Sequence, residues 1–268
     1  MIDVDRVSFR YREDWVLQDL SFRIEKGEFI GIIGPNGSGK TTLLKILYRL
    51  ISPRSGEVRF EGIPLRKLKQ RDIAKRIAVV AQETHLLFPF RVMEIVLMGR
   101  SPYLGHLVFE GKRDLEIATQ AMAWTEILSL AERPVEELSG GERKRVFIAR
   151  ALAQEPEVIL LDEPTASLDI HHQVEFLNLI LDLHRERGMS IVMATHDMNL
   201  ASEFCDRLIL LQKGKIFKIG PPEEVITRET MERVYGCDVW VDRHPVSGMP
   251  RISLLKKGGH PGETLGRD

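Results

Sequence analysis

Phe29-Ile30-Gly31-Ile32-Ile33-Gly34-Pro35-Asn36-Gly37-Ser38-Gly39-Lys40-Thr41-Thr42 decides how the rest of this chain is read. The first five residues form a short apolar run, broken only by Gly31, that reads as a buried strand entering a glycine-rich turn. Beyond the turn, Leu43, Ile46, Leu47 and Leu50 recur at helical spacing until Pro53 ends the helix. Strand, turn and amphipathic helix in that order are what Gly-x-x-x-x-Gly-Lys-Thr requires to hold phosphate. Gly34, Gly37 and Gly39 allow backbone conformations and close approach that a Cβ would obstruct. The N–H groups of the loop and of the helix N-terminus then cradle α- and β-phosphates. Lys40 reaches the β- and γ-phosphates, and Thr41 is placed to ligate Mg²⁺.

Outward from that loop, Val4, Val7 and Phe9 alternate, as do Leu20, Phe22 and Ile24, giving two half-buried antiparallel strands. Residues 56–60 and 77–81 read as further strands, and 92–153 as mainly helical with breaks at 99–105 and around Pro134. From there, strand 158–161, helix 172–187, strand 191–194, helix 198–204 and strand 208–211 alternate. Such alternation implies a parallel sheet with crossover helices. Residues 214–241 offer a hairpin-like strand and short helices, and 243–268, rich in Gly and Pro, read as a partly loose tail.

Two more stretches carry chemistry. Strand 158–161 delivers Asp162 and Glu163 at its C-terminal end, where open α/β sheets bind ligands. Successive strand side chains diverge, so the two carboxylates should have separate jobs. Leu138-Ser139-Gly140-Gly141-Glu142 is a second glycine-rich turn opening a helix. It is also a capping box, with Ser139 as N-cap and Glu142 three positions on, and the cap preorganises N–H donors for phosphate. That helix buries Val146, Ala149 and Leu152 and leaves Arg143, Lys144 and Arg145 as solvated surface. His196 and Gln82 each follow a strand of the sheet, and Tyr11 follows the first antiparallel strand.

With these motifs in this order, the chain resembles the ATP-binding-cassette family, whose signature reads LSGGQ or LSGGE. The resemblance runs from about Tyr11 to Val241. It implies a RecA-like α/β phosphate-loop ATPase core, an N-terminal antiparallel β lobe and an α-helical signature lobe. The domain division expected is an ATPase domain over 1–242, its helical subdomain at about 86–154, and a C-terminal tail over 243–268.

The resemblance also implies ATP and Mg²⁺ as ligands. Tyr11 stacks on adenine (Trp15 is the substitute at a poorer offset), while Gly34, Asn36, Gly37, Ser38, Gly39, Lys40, Thr41 and Thr42 hold the phosphates. Ser139, Gly140 and Gly141 close over the nucleotide of a second copy. Asp169, in Pro164-Thr165-Ala166-Ser167-Leu168-Asp169, touches the partner's site. Thr41, Gln82 and Asp162 attend the metal, Asp162 through water. Glu163 is the general base, His196 senses the γ-phosphate, and Gln82 links Mg²⁺ and water to a membrane partner.

One phosphate loop and one signature per chain imply a homodimer sandwiching two ATP molecules. The family setting adds a transmembrane permease dimer, a periplasmic or surface substrate-binding protein, and a peripheral place on the cytoplasmic face of the membrane. Gly99-Arg100-Ser101-Pro102, together with His196-Asp197-Met198-Asn199-Leu200-Ala201, resembles importers of iron–siderophore, haem or cobalamin. Leu86, Leu87, Phe88 and Phe90, with Arg100 nearby, read as a surface patch for the permease. The alternatives are another cargo class or a cassette ATPase acting on DNA or ribosomes. The chain has neither the long coiled coil nor the duplicated cassette those carry.

Composition fits. Charged residues are 29% and hydrophobic ones 43% of 268, the balance of a soluble domain. A net charge of -1 gives no bulk attraction to nucleic acid. No apolar run approaches the ~18 residues of a spanning helix, and the opening Met1-Ile2-Asp3-Val4-Asp5 lacks the basic and apolar regions of a signal peptide. Cys205 and Cys237 are isolated, which suits packing roles in a reducing compartment. His171 and His172, adjacent on a helix, are expected to point apart rather than pair on a metal.

Overall fold

The computed structural model describes residues 1–82, 88–105, 109–166 and 168–255. In chain order its elements are β1 (Ile2–Arg10), β2 (Trp15–Ile24), β3 (Phe29–Ile33), α1 (Lys40–Leu47), β4 (Ser55–Phe60), β5 (Ile63–Pro64), α2 (Gln70–Ala74) and β6 (Ile77–Val80). A helical stretch follows with α3 (Val92–Leu97), α4 (Lys112–Trp124) and α5 (Gly140–Leu152). The chain then returns to alternation through β7 (Val158–Asp162), α6 (Ile170–Arg187), β8 (Ser190–Ala194), α7 (Met198–Phe204), β9 (Arg207–Gln212) and β10 (Lys215–Gly220). It closes with α8 (Pro222–Val225), α9 (Arg228–Tyr235), β11 (Val239–Arg243) and β12 (Pro250–Leu254).

The main sheet has six strands in the order β10-β9-β3-β8-β7-β6, all parallel except β10. It is covered on both faces, which is why its strands read as nearly unbroken apolar runs. Alternation is strict: Phe29, Ile159, Leu161, Ile191, Met193, Leu208 and Leu210 face the helical side. Ile30, Ile32, Val158, Leu160, Val192, Ile209 and Leu211 face α1 and the β lobe. That lobe is the antiparallel sheet β2-β1-β4-β5, with Ile2 opposite both Ile24 and Phe60. The expected parallel core, antiparallel lobe and helical lobe are all present.

Arg100 is not where the surface-patch reading puts it. Its side chain is only 4% exposed. Its Nε meets Asp114 Oδ1 at 2.9 Å, and Nη1 donates to Ala153 O at 2.7 Å and to Glu155 Oε2 at 2.8 Å. The guanidinium also lies 3.9 Å from the Tyr103 ring centroid. Gly99 makes the approach possible, because a Cβ there would stand 2.2 Å from Arg150 O. The Gly-Arg pair therefore ties the turn after α3 to α4 and to the end of α5. Arg100→Ala is expected to cost about 3 kcal/mol, since it leaves carboxylates and a carbonyl without their cation. A lowered denaturant midpoint with an unchanged m-value would show it.

Two further readings are corrected. Arg143, Lys144 and Arg145 hold the lobe together rather than only facing water. They donate to Val135 O (3.2 Å), Gln82 O (2.9 Å) and Glu126 Oε2 (2.8 Å) respectively. The tail read as partly loose is an ordered hairpin of β11 and β12 as far as Leu254. Asp242 pairs with Arg251 and Arg243 with Pro250, so the hairpin crosses the expected boundary at residue 242. Composition misses this because its anchors are single polar side chains on α7. Leu86 and Leu87 lie outside the described residues, and Phe88 is 64% exposed with Phe90 packed behind it.

Candidate functional site

The turn after β3 is shaped by close contacts that only glycine allows. Gly34 has φ +145°, and a Cβ there would lie 2.2 Å from Leu211 O. Gly39, at the N-cap of α1, has φ +105°, and its Cβ would meet Leu17 Cδ2 at 2.5 Å. Lys40 turns back over the loop and donates to Gly34 O at 2.9 Å. Burial lowers its ammonium pKa, opposed by Glu163 and then Asp162. Ser38 Oγ is buried without a hydrogen-bond partner among the described residues. A backbone cradle, a cation and an orphan hydroxyl fit incoming phosphate oxygens.

The carboxylates divide as strand geometry requires. Asp162 Oδ1 accepts from Thr41 Oγ1 at 3.0 Å, linking β7 to the start of α1. Burial pushes the Asp162 carboxyl up, against the Thr41 hydrogen bond, and the neighbouring Glu163 adds to the rise. A hydroxyl and a burdened carboxylate side by side form a hard-oxygen donor set that fits Mg²⁺. Glu163 stands apart at φ +47°, a conformation costing of order 1–3 kcal/mol outside glycine. Its N–H donates to Ala194 O at 2.8 Å, which pins the strained backbone to β8. Its Oε2 lies 2.7 Å from His196 Nδ1, and its Oε1 lies 3.8 Å from Lys40 Nζ.

A cavity of about 390 Å³ opens over these groups. It brings together Asn36, Gly37, Ser38, Gly39, Lys40, Thr41 and Thr42 with Gln82, Glu163 and His196. Val16 also lines it, a residue the sequence reading passes over because an apolar residue in a strand looks like packing. Gly34 and Asp162 sit behind that lining. Tyr11 is 53% exposed and rests edge-on against Phe9, centroids 4.8 Å apart, outside the lining. Trp15 is likewise outside, under the Arg10 guanidinium.

Ser139, Gly140, Gly141 and Asp169 form a separate group. The capping box is intact: Ser139 N donates to Glu142 Oε2 at 2.8 Å, and Glu142 N to Ser139 Oγ at 3.2 Å. Those bonds hold the Glu142 carboxyl below its usual range. Asp169 caps α6, its Oδ1 2.9 Å from His172 N and 2.8 Å from His172 Nδ1. The His172 ring packs on Gly141, where a Cβ would be 2.3 Å from Cδ2. His171 and His172 do not point apart as expected; their rings meet edge-on, centroids 5.3 Å apart. No group of three or more His, Cys, Asp or Glu side chains able to hold a metal forms there or elsewhere among the described residues. One chain thus holds a phosphate cradle and, away from it, a second set of helix N-terminal donors.

Comparison with known proteins gives this arrangement a setting. Residues 17–166 match the family model described as ABC transporter. The ferric enterobactin transport ATP-binding protein of Escherichia coli is 40% identical over 251 residues, covering 94% of this chain and 93% of that protein. The hemin import ATP-binding protein of Gloeobacter violaceus is 41% identical, covering 99% and 98%. Among solved structures, an inward-facing putative metal-chelate type ABC transporter superposes with a TM-score of 0.85 at 30% identity, covering 96% and 97%. A dimeric bacterial ABC transporter cassette superposes at 0.72 and 32% identity, covering 82% and 98%.

Proposed function

Because this chain belongs to the ABC transporter family of ATPases, we propose that its hydrolysis of ATP drives import of a metal chelate through a separate transmembrane permease. The observation that carries the hydrolytic reading is the 2.7 Å contact between Glu163 and His196 at the mouth of the phosphate cradle. The cargo reading is supported by relatives named for ferric enterobactin and hemin, which favours iron–siderophore or haem over cobalamin.

In this reading the loop residues 34–42 bind the phosphates, and Lys40 leaves the loop carbonyls for the β- and γ-phosphate oxygens. Thr41, Gln82 and, through water, Asp162 would hold Mg²⁺, which would supply charge neutralisation at those oxygens. Glu163 takes the proton from the attacking water, and His196 orients Glu163 through its ring. The strained backbone of Glu163 fixes the carboxylate in place before substrate arrives. Tyr11 covers the adenine. Ser139, Gly140 and Gly141 of a second copy close over the γ-phosphate, with Asp169 at the same interface, so two chains make two sites. Catalysis then rests on positioning and charge rather than on covalent chemistry.

Among the described residues no helix is long and apolar enough to cross a membrane. In this reading the translocation path belongs to the permease, a substrate-binding protein delivers the cargo, and this chain binds peripherally at the inner face. Phe88, exposed on the segment after Gln82, is the anchor for that permease contact. Phe88→Asp is expected to leave ATP binding intact and to abolish co-purification with the permease from detergent-solubilised membranes. Undiminished co-purification and uptake would place the contact elsewhere. Uptake of iron–siderophore, haem and cobalamin by the reconstituted complex decides the cargo.

A further inference from the structure

Helix α7 starts two residues after His196, and its outer side is gripped by the C-terminal hairpin. Asn199 Nδ2 donates to Ile252 O at 3.1 Å, and Asn199 Oδ1 accepts from Ile252 N at 2.8 Å. The side-chain amide thus satisfies one residue of β12 as a neighbouring strand would. One turn on, Ser202, only 1% exposed, donates Oγ to Pro250 O at 2.7 Å. At the hairpin's turn, Ser247 Oγ donates to Glu203 Oε2 at 2.6 Å.

The inner side of α7 has Ala201 fully buried, with Met198, Leu200 and Phe204 partly so. A helix of seven residues cannot fix its own position by propensity, so these tertiary contacts decide where its N-terminus lies. That N-terminus is Asp197, which caps Leu200 N at 3.0 Å. Immediately before it stands His196, 64% exposed, whose ring is held among the described residues by Glu163 alone. The His196 backbone is held on one side by the sheet, where Thr195 N donates to Ile32 O at 3.1 Å, and its own N–H faces Glu163 Oε2 at 3.3 Å; on the other side its position is set by α7.

We propose that Asn199 and Ser202 are positioning residues for ATP hydrolysis: by fastening α7 to the hairpin, they set the backbone from which His196 reaches Glu163. The inference rests on the reading of Glu163 and His196 as parts of the hydrolytic site. A hairpin that merely stabilises the fold would raise the melting temperature and leave turnover alone. A positioning role acts on kcat and acts through His196.

The test is a double-mutant cycle in the full chain, with Asn199→Ala and His196→Ala assayed singly and together well below their melting temperatures. Asn199→Ala is expected to lower kcat roughly tenfold, as a sub-ångström misplacement does, with KM for ATP held within about twofold. In the His196→Ala background the same substitution should remove almost nothing more. An equal further loss in that background, or a lowered melting temperature with unchanged kcat, overturns the proposal. Full turnover in His196→Ala alone would instead remove the underlying reading, a result distinguishable from both. Should Asn199→Ala fail to fold, Asn199→Asp keeps the acceptor for Ile252 N–H while setting a carboxylate oxygen against Ile252 O in place of the donor, and Ser202→Ala tests the second tie.

Discussion

Glu163→Gln is expected to bind ATP, lose about 10²–10⁴-fold in hydrolysis rate, and accumulate as an ATP-bound dimer. The amide keeps the size of the carboxylate and can still accept from His196, so the 2.7 Å contact survives while the base does not. Thr41, Asp162 and Lys40 are untouched, which leaves the nucleotide contacts in place. Light scattering with and without ATP reads the dimer, and phosphate release reads the rate. Turnover near that of the unaltered protein would assign water activation to another group.

The second large effect is recovery of activity on mixing two dead chains. Ser139→Arg blocks the signature turn but keeps Lys40; Lys40→Ala removes the cradle's cation but keeps Ser139. Each homodimer lacks every complete site, whereas a mixed dimer has one, from Lys40 of the first chain and Ser139 of the second. Random pairing at equal amounts should restore roughly a quarter of normal activity per chain. Ser139 is also the cap of α5, worth about 1 kcal/mol, so the melting temperature of that variant is checked first. No recovery when heterodimers demonstrably form would mean that both halves must be intact together. A fused dimer bearing one good site separates that from a wrong sharing model.

The strands and helices of the core were legible in the sequence because their signals are local. The run Phe29–Ile33 is buried on both faces, so it reads as apolar throughout, and the helix Met198–Phe204 has the bounds its spacing suggests. The glycines of the loop and the capping box at Ser139 announce themselves because backbone geometry restricts which residues can occupy those places, and the Asp162-Glu163 pair because it ends an apolar strand. His196 and Gln82 stand out less on local pattern, since a lone strand-end His or Gln is ordinarily surface; the family resemblance singled them out, and both line the cavity.

What sequence could not decide were contacts between side chains far apart in the chain. Arg100 reads as a surface charge until Asp114, Glu155 and the Ala153 carbonyl are seen around it. Arg143, Lys144 and Arg145 read as solvated until their acceptors appear. The loose tail becomes a hairpin because Asn199 and Ser202, which lie some fifty residues earlier, hold it. The sheet and the glycine-rich turn could be read from the sequence, since periodicity and glycine placement are properties of neighbouring residues, while the roles assigned to the side chains around the turn came from family resemblance. Only the tertiary structure decided which charges are buried and what anchors the backbone of His196, because desolvation and long-range hydrogen bonds exist only once the chain has packed.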